Sequence, residues 1–248
     1  MLNRSDKLDA PGIGDKLSVE RRIQPRISTS LAGVSLLNFL SVMYSTGDNA
    51  EEEYGRALKE LSERADEVLV EIAQASSECD LRDYPLRLTL VQAAVALRNP
   101  AAIPFLANLV KTPIPAEEAP DPHSFSVVAE ETILRTTAVE GIAEHAKNGD
   151  ERAVAYLMEF LYIPSFSIRR AAAQGLLATK NGEEYREKIR DLLPEDQRFI
   201  LDLRKTNVSE VPQVEDPTRH LKSRLEEGRS PVPPRLPDQA ANKPPKAY

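Results

Sequence analysis

Residues 166–193 read Phe166-Ser-Ile-Arg-Arg-Ala-Ala-Ala-Gln-Gly-Leu-Leu-Ala-Thr-Lys-Asn-Gly-Glu-Glu-Tyr-Arg-Glu-Lys-Ile-Arg-Asp-Leu-Leu193. The spacing predicts two helices joined by a tight turn. In the first, Ile168, Ala172, Ala173 and Leu176 share a face at helical period. Ala171, Ala172, Ala173 and Gly175 are small enough to admit a neighbouring helix at close range. Asn181-Gly182 predicts the stop, because glycine takes the left-handed conformation that helix ends commonly need. The second helix carries Tyr185, Ile189, Leu192 and Leu193 on one stripe, and Pro194 closes it.

The same grammar recurs twice upstream. Leu134-Arg135-Thr136-Thr137-Ala138 opens one copy, with a turn at Asn148-Gly149-Asp150 and a second helix bearing Val154, Leu157, Phe160 and Leu161. Leu86-Arg87 opens another, with a turn at Asn99-Pro100 and a second helix bearing Ile103, Leu106, Leu109 and Val110. Aligned on Arg87, Arg135 and Arg169, a small residue stands at the same later position in each copy: Ala93, Gly141 and Gly175.

The chain therefore resembles the HEAT-repeat family over residues 84–193, through the aliphatic-Arg-x-x-Ala signature of Ile168-Arg169-Arg170-Ala171-Ala172 and Leu134-Arg135-Thr136-Thr137-Ala138. The Leu86-Arg87 copy departs from it, having Leu90 where alanine is expected. The resemblance implies an all-α, right-handed α-solenoid of about three HEAT-like helix pairs, with flanking helices and disordered ends. It implies no single activity, since such scaffolds host many functions. For the repeated arginines the economical expectation is a ladder of salt bridges or helix-terminus contacts between units; direct contact with a partner is the alternative.

The flanks divide the rest of the chain. Residues 1–26 are polar and read as a flexible arm; Pro11-Gly12-Ile13-Gly14-Asp15-Lys16 within it lacks the spacing of a phosphate loop. Residues 27–47 hold no charged side chain and predict a helix, capped by Ser28, Thr29 or Ser30 and ended at Gly47. Its Leu31–Tyr44 heart is too short to span a bilayer, so a membrane role is not expected. Arg21-Arg22 ahead of it gives a weak twin-arginine-like export reading as the alternative to a cytoplasmic location. Residues 48–205 are expected to form the helical-repeat domain. It begins with a helix over 50–77, in a region where Asp48 to Asp83 holds twelve acidic and four basic residues. Residues 84–112 carry Arg87, Arg98 and Lys111 and no acid, a contrast expected to help pack the two regions together. Four prolines in 112–123 predict a loop between repeats. A terminal helix over 194–205 is expected to cover the last repeat with Phe199, Ile200 and Leu203. Residues 206–248 form a Pro-rich, basic tail, whose Pro231-Val-Pro-Pro-Arg-Leu-Pro237 suits extended polyproline.

Bulk properties exclude some function classes. A net charge of −7 and no tryptophan among 248 residues disfavour general nucleic-acid binding, which wants a basic face. The single Cys79 allows neither an internal disulfide nor a cysteine zinc cluster. No catalytic motif, metal-ligand spacing or cofactor loop occurs, so no catalytic, metal or cofactor residue is assigned. The expectation is a non-enzymatic scaffold or adaptor that binds one or more protein partners. Its candidate contacts are Arg87, Arg135, Arg169, Arg170, Phe125 and Phe166, with Pro231, Pro234 and Arg235 in the tail. Self-association through 27–47, as a subunit of a larger assembly, is a structural alternative. A lyase- or repair-type enzyme subunit is another, and a pocket joining Glu144, His145 and an arginine would favour it.

Overall fold

A computed structural model describes residues 23–117 and 126–203; the N-terminal arm before Ile23, Phe125 and the tail with Pro231, Pro234 and Arg235 lie outside them. The described residues form nine α-helices and three short 3-10 segments, with no strand among them. In chain order the helices are α1 (Leu31–Val42), α2 (Ala50–Ser62), α3 (Ala65–Ser77), α4 (Tyr84–Ala96), α5 (Ile103–Lys111), α6 (Val127–Lys147), α7 (Glu151–Phe160), α8 (Phe166–Leu177) and α9 (Gly182–Leu192). The all-α expectation is met, and the three helix pairs read from the sequence are α4/α5, α6/α7 and α8/α9.

Packing is serial. Helix α6 lies against α4 and α8, so the first helices of the three pairs form one layer with α6 at its centre. The second helices sit over the seams: α5 packs on α6, and α7 packs on both α6 and α8. Each element thus touches near neighbours in the chain, the pattern of a stack in which every unit buries its apolar face on the next. Ile168, Ala172, Ala173 and Leu176 of α8 and Leu134, Ala138, Val139 and Ile142 of α6 are fully buried in this shared core.

The small residues mark where the layer is tightest. A Cβ built on Gly141 would lie 2.5 Å from Val95 Cγ2 of α4, and one built on Gly175 would lie 2.7 Å from Ala143 Cβ of α6. Hydrogen replaces a side chain at both crossings so that the backbones can approach. Gly149 stops α6 with φ of +94°, as its place in the Asn-Gly turn predicts. Gly182 has a different reason: it is not left-handed, and a side chain there would strike the Leu177 carbonyl.

Upstream, the uncharged stretch folds back onto its own chain. Ser30 caps α1 by accepting from the Gly33 N–H at 3.0 Å, and Leu36, Phe39 and Leu40 are buried against the following helices. Ile23 and Ile27 are buried with them, so Ile23, at the end of the expected arm, joins the core, while Gln24 and Pro25 stay exposed. Expected as one helix, 50–77 is instead broken at Glu63 and Arg64 into α2 and α3. No proline or glycine forces the break. A straight rod of that length would run about 40 Å, whereas the bend lets both halves pack on α1. Glu71 of α3 then fastens the entry to α1, its carboxylate accepting from the Ser28 N–H at 3.0 Å, the Ser30 hydroxyl at 3.0 Å and the Ser28 hydroxyl.

The cations of 84–112 do not pair with the acidic region as expected. Arg87 turns to Glu131 and Lys111 to Glu159, while Asn99 supplies a polar tie to Asp66 at 3.0 Å. At the far end, Glu195–Asp202 is 3-10 helix, and its buried residues are Ile200 and Leu201 rather than Phe199 and Leu203. Arg186 holds it down, donating to the Leu201 carbonyl at 2.9 Å and to Asp202 at 2.7 Å. Among the described residues no helix is long and apolar enough to cross a membrane.

Candidate functional site

The three repeated arginines do the same thing. Helices leave their last carbonyls without intrahelical partners, and each arginine reaches back to carbonyls just past the end of the preceding helix. Arg87 of α4 donates to Leu81 O at 2.8 Å, beyond α3. Arg135 of α6 donates to Thr112 O at 2.9 Å and Pro113 O at 3.1 Å, beyond α5. Arg169 of α8 donates to Ile163 O at 2.6 Å, beyond α7, and to Gln197 Oε1 at 2.9 Å. They form the ladder of helix-terminus contacts that was the economical expectation.

Arg87 and Arg135 converge further, on a residue the sequence reading missed. Glu131 stands one turn before Arg135 on α6 and is buried between the two guanidinium groups, accepting from both. Arg135 is only 1% exposed. Burial opposes ionisation of Glu131, but the hydrogen bonds and charges of Arg87 and Arg135 hold its carboxyl below the ordinary carboxylate range. As candidate partner contacts Arg87 and Arg135 are therefore corrected: both are spent on the interior and offer no surface. The Glu131/Arg135 i,i+4 spacing was a visible signal for the pairing; nothing in the sequence showed that Arg87 would join it.

The remaining candidates divide. Arg169 is half-buried beneath a surface edge, and Arg170 beside it is exposed. Phe166 stacks on Phe199 with ring centres 6.0 Å apart and planes at 28°. Both rings stay open, Phe166 at 37% and Phe199 at 50% exposure, and Tyr162, one turn away in the chain, reaches 70%. Arg169 of α8 bridges to Gln197, which precedes Phe199 in the 3-10 segment, and so ties together the two elements that carry the rings.

A second feature lies where α4 and α6 end. A cleft of about 150 Å³ is lined by Val95, Ala96, Arg98, Gly141, Glu144, His145 and Asn148. Arg98 follows α4 in the left-handed region, with φ of +49°, a conformation that costs a non-glycine residue roughly 1–2 kcal/mol. Glu144 and His145 come from the last turn of α6. Burial lowers the His145 pKa below its ordinary 6.5, partly opposed by the nearby Asp150 carboxylate. Cys79 is half-buried and free, and burial pushes its thiol up, away from nucleophilic use. Among the described residues no cluster of His, Cys, Asp and Glu has the grouping a metal needs. No protein-family model, curated protein or solved structure matches this chain.

Proposed function

We propose that the protein is a non-enzymatic scaffold or adaptor built on a HEAT-like right-handed stack, which docks a protein partner on the edge formed by Phe166 and Phe199. The observation that carries this reading is the exposed, stacked Phe166–Phe199 pair. Their neighbours Ile200 and Leu201 are buried, while these two rings remain at the surface, and Arg170 on the same helix as Phe166 is exposed. Aromatic and arginine side chains are the anchors that interfaces favour, the aromatics burying much area and arginine adding several hydrogen-bond donors. Affinity capture from native lysate across several salt concentrations tests it. Reproducible retention of a defined protein supports the reading; an empty eluate under every condition overturns it.

The meeting of Arg98, Glu144 and His145 in one cleft favours an enzyme subunit as a second reading. Size argues for placing it second. Ligand pockets usually enclose about 300–1,000 Å³, and this cleft offers about half the lower figure. Profiling the purified chain against nucleotides and alkylated DNA separates the two, with turnover abolished by His145→Gln as the outcome that would promote the enzyme reading.

A further inference from the structure

We infer that the cleft between the ends of α4 and α6 is a binding site for a small carboxylate, held by Arg98, His145 and Asn148. The inference stands independently of the partner-docking edge, which lies on other residues. Its first support is a mostly buried imidazole without a partner inside the chain. His145 is 8% exposed, and among the described residues its imidazole makes no hydrogen bond. No fully enclosed side-chain nitrogen or oxygen among the described residues lacks a partner, so the ring nitrogens of His145 keep some contact with solvent, and the residue lines the cleft.

The second support is Arg98. Its guanidinium pairs with no carboxylate among the described residues, and the backbone beneath it is held left-handed where glycine would be the relaxed choice. Five N–H donors in a fixed fork suit bidentate recognition of a planar carboxylate, as they do a phosphate. Asn148 adds a side-chain amide that also lacks a hydrogen bond among the described residues. A cavity of about 150 Å³ is large enough to hold a benzene-sized molecule, so an acid of two to four carbons fits.

The charges around the ring fix the expected pH behaviour. On α6, Glu144 opposes an anion, but it lies 4.0 Å from Lys147, which offsets part of its charge. From the start of α7, Asp150 favours the protonated ring and Arg152 the neutral one. A bound carboxylate beside His145 raises its pKa, so by linkage the carboxylate binds more tightly as pH falls towards the lowered pKa of the free ring.

Histidine-selective NMR of the full-length chain tests this. The His145 ring signal is assigned by its absence in His145→Gln, and sodium propionate is titrated at fixed ionic strength, with propionamide and sodium chloride as controls. The expected result is a saturable shift of His145, a raised titration midpoint, and affinity that increases on acidification. Arg98→Gly keeps a backbone suited to φ of +49° and removes the guanidinium; it is expected to weaken binding about tenfold or more, the scale of one lost charge-assisted contact. A non-saturating response, an equal response to propionamide or chloride, or undiminished binding by Arg98→Gly would overturn the inference.

Discussion

At the scale of single residues, the strongest interactions are internal and hold the stack together. Glu131 bridges two buried guanidinium groups, one on its own helix and one on the preceding pair. Removing one member of a buried ionic group typically costs about 3–5 kcal/mol, because the remaining charge is left uncompensated. Glu131→Ala is expected to lower stability by that amount in urea unfolding, and an effect below about 1 kcal/mol would mean that the guanidinium groups find other acceptors. His145 gives a pH test. Its pKa is depressed in the folded chain, so the unfolded chain binds the extra proton first. The His145 contribution is fully present above the ordinary value of 6.5 and lost as pH falls from there towards the folded pKa. His145→Gln is therefore expected to flatten the decline in melting temperature on acidification from neutral pH; an unchanged slope would contradict the assignment. The sequence made the arginine ladder legible, because three copies in register needed one explanation. It did not reveal Glu131 or Arg98, since charge density says nothing about which carboxylate is inside or which backbone is left-handed.

At the scale of elements, the same substitution should have opposite signs at two glycines. Gly55 lies in the exposed interior of α2, where an added Cβ meets nothing within 4 Å. Gly55→Ala is expected to stabilise by up to about 1 kcal/mol through helix propensity. Gly175 faces the backbone-borne Cβ of Ala143 on α6, which cannot swing aside. Overpacking there costs roughly 1–3 kcal/mol and outweighs the propensity gain, so Gly175→Ala is expected to destabilise. Thermal melts of the two variants decide it, and stabilisation at both positions would show that α6 and α8 do not cross closely at Gly175. Helix existence was readable wherever apolar periodicity met a cap, as with Ser30 before α1 and Asn148-Gly149 after α6. The break at Glu63 and Arg64 was not, because the apolar stripe runs on through it and the cause is packing on α1. The terminal cover failed in detail for a related reason: a 3-10 segment turns Leu201 inward where an α-helical reading chose Phe199 and Leu203.

At the scale of the whole molecule, three helix pairs share one core, and α6 is its spine. Such stacks convert sequence into surface: what is buried repeats, and what is exposed is free to differ between units. The exposed aromatic edge belongs to the last pair and its cover, where no further repeat in the described residues hides it. Phe166 was readable as a helix-start aromatic, but its pairing with Phe199 was not, since the partners lie in different elements that are brought together by tertiary packing. The claim that this edge docks a protein is tested most directly by parallel affinity capture with three baits: the natural chain, Phe166→Ala/Phe199→Ala, and Val70→Ala as a control at an exposed apolar residue on α3. Circular dichroism melts confirm that all three remain folded. The account predicts that the partner retained by the natural chain and by Val70→Ala is lost from the double variant; an identical set of captured proteins from all three baits would contradict it.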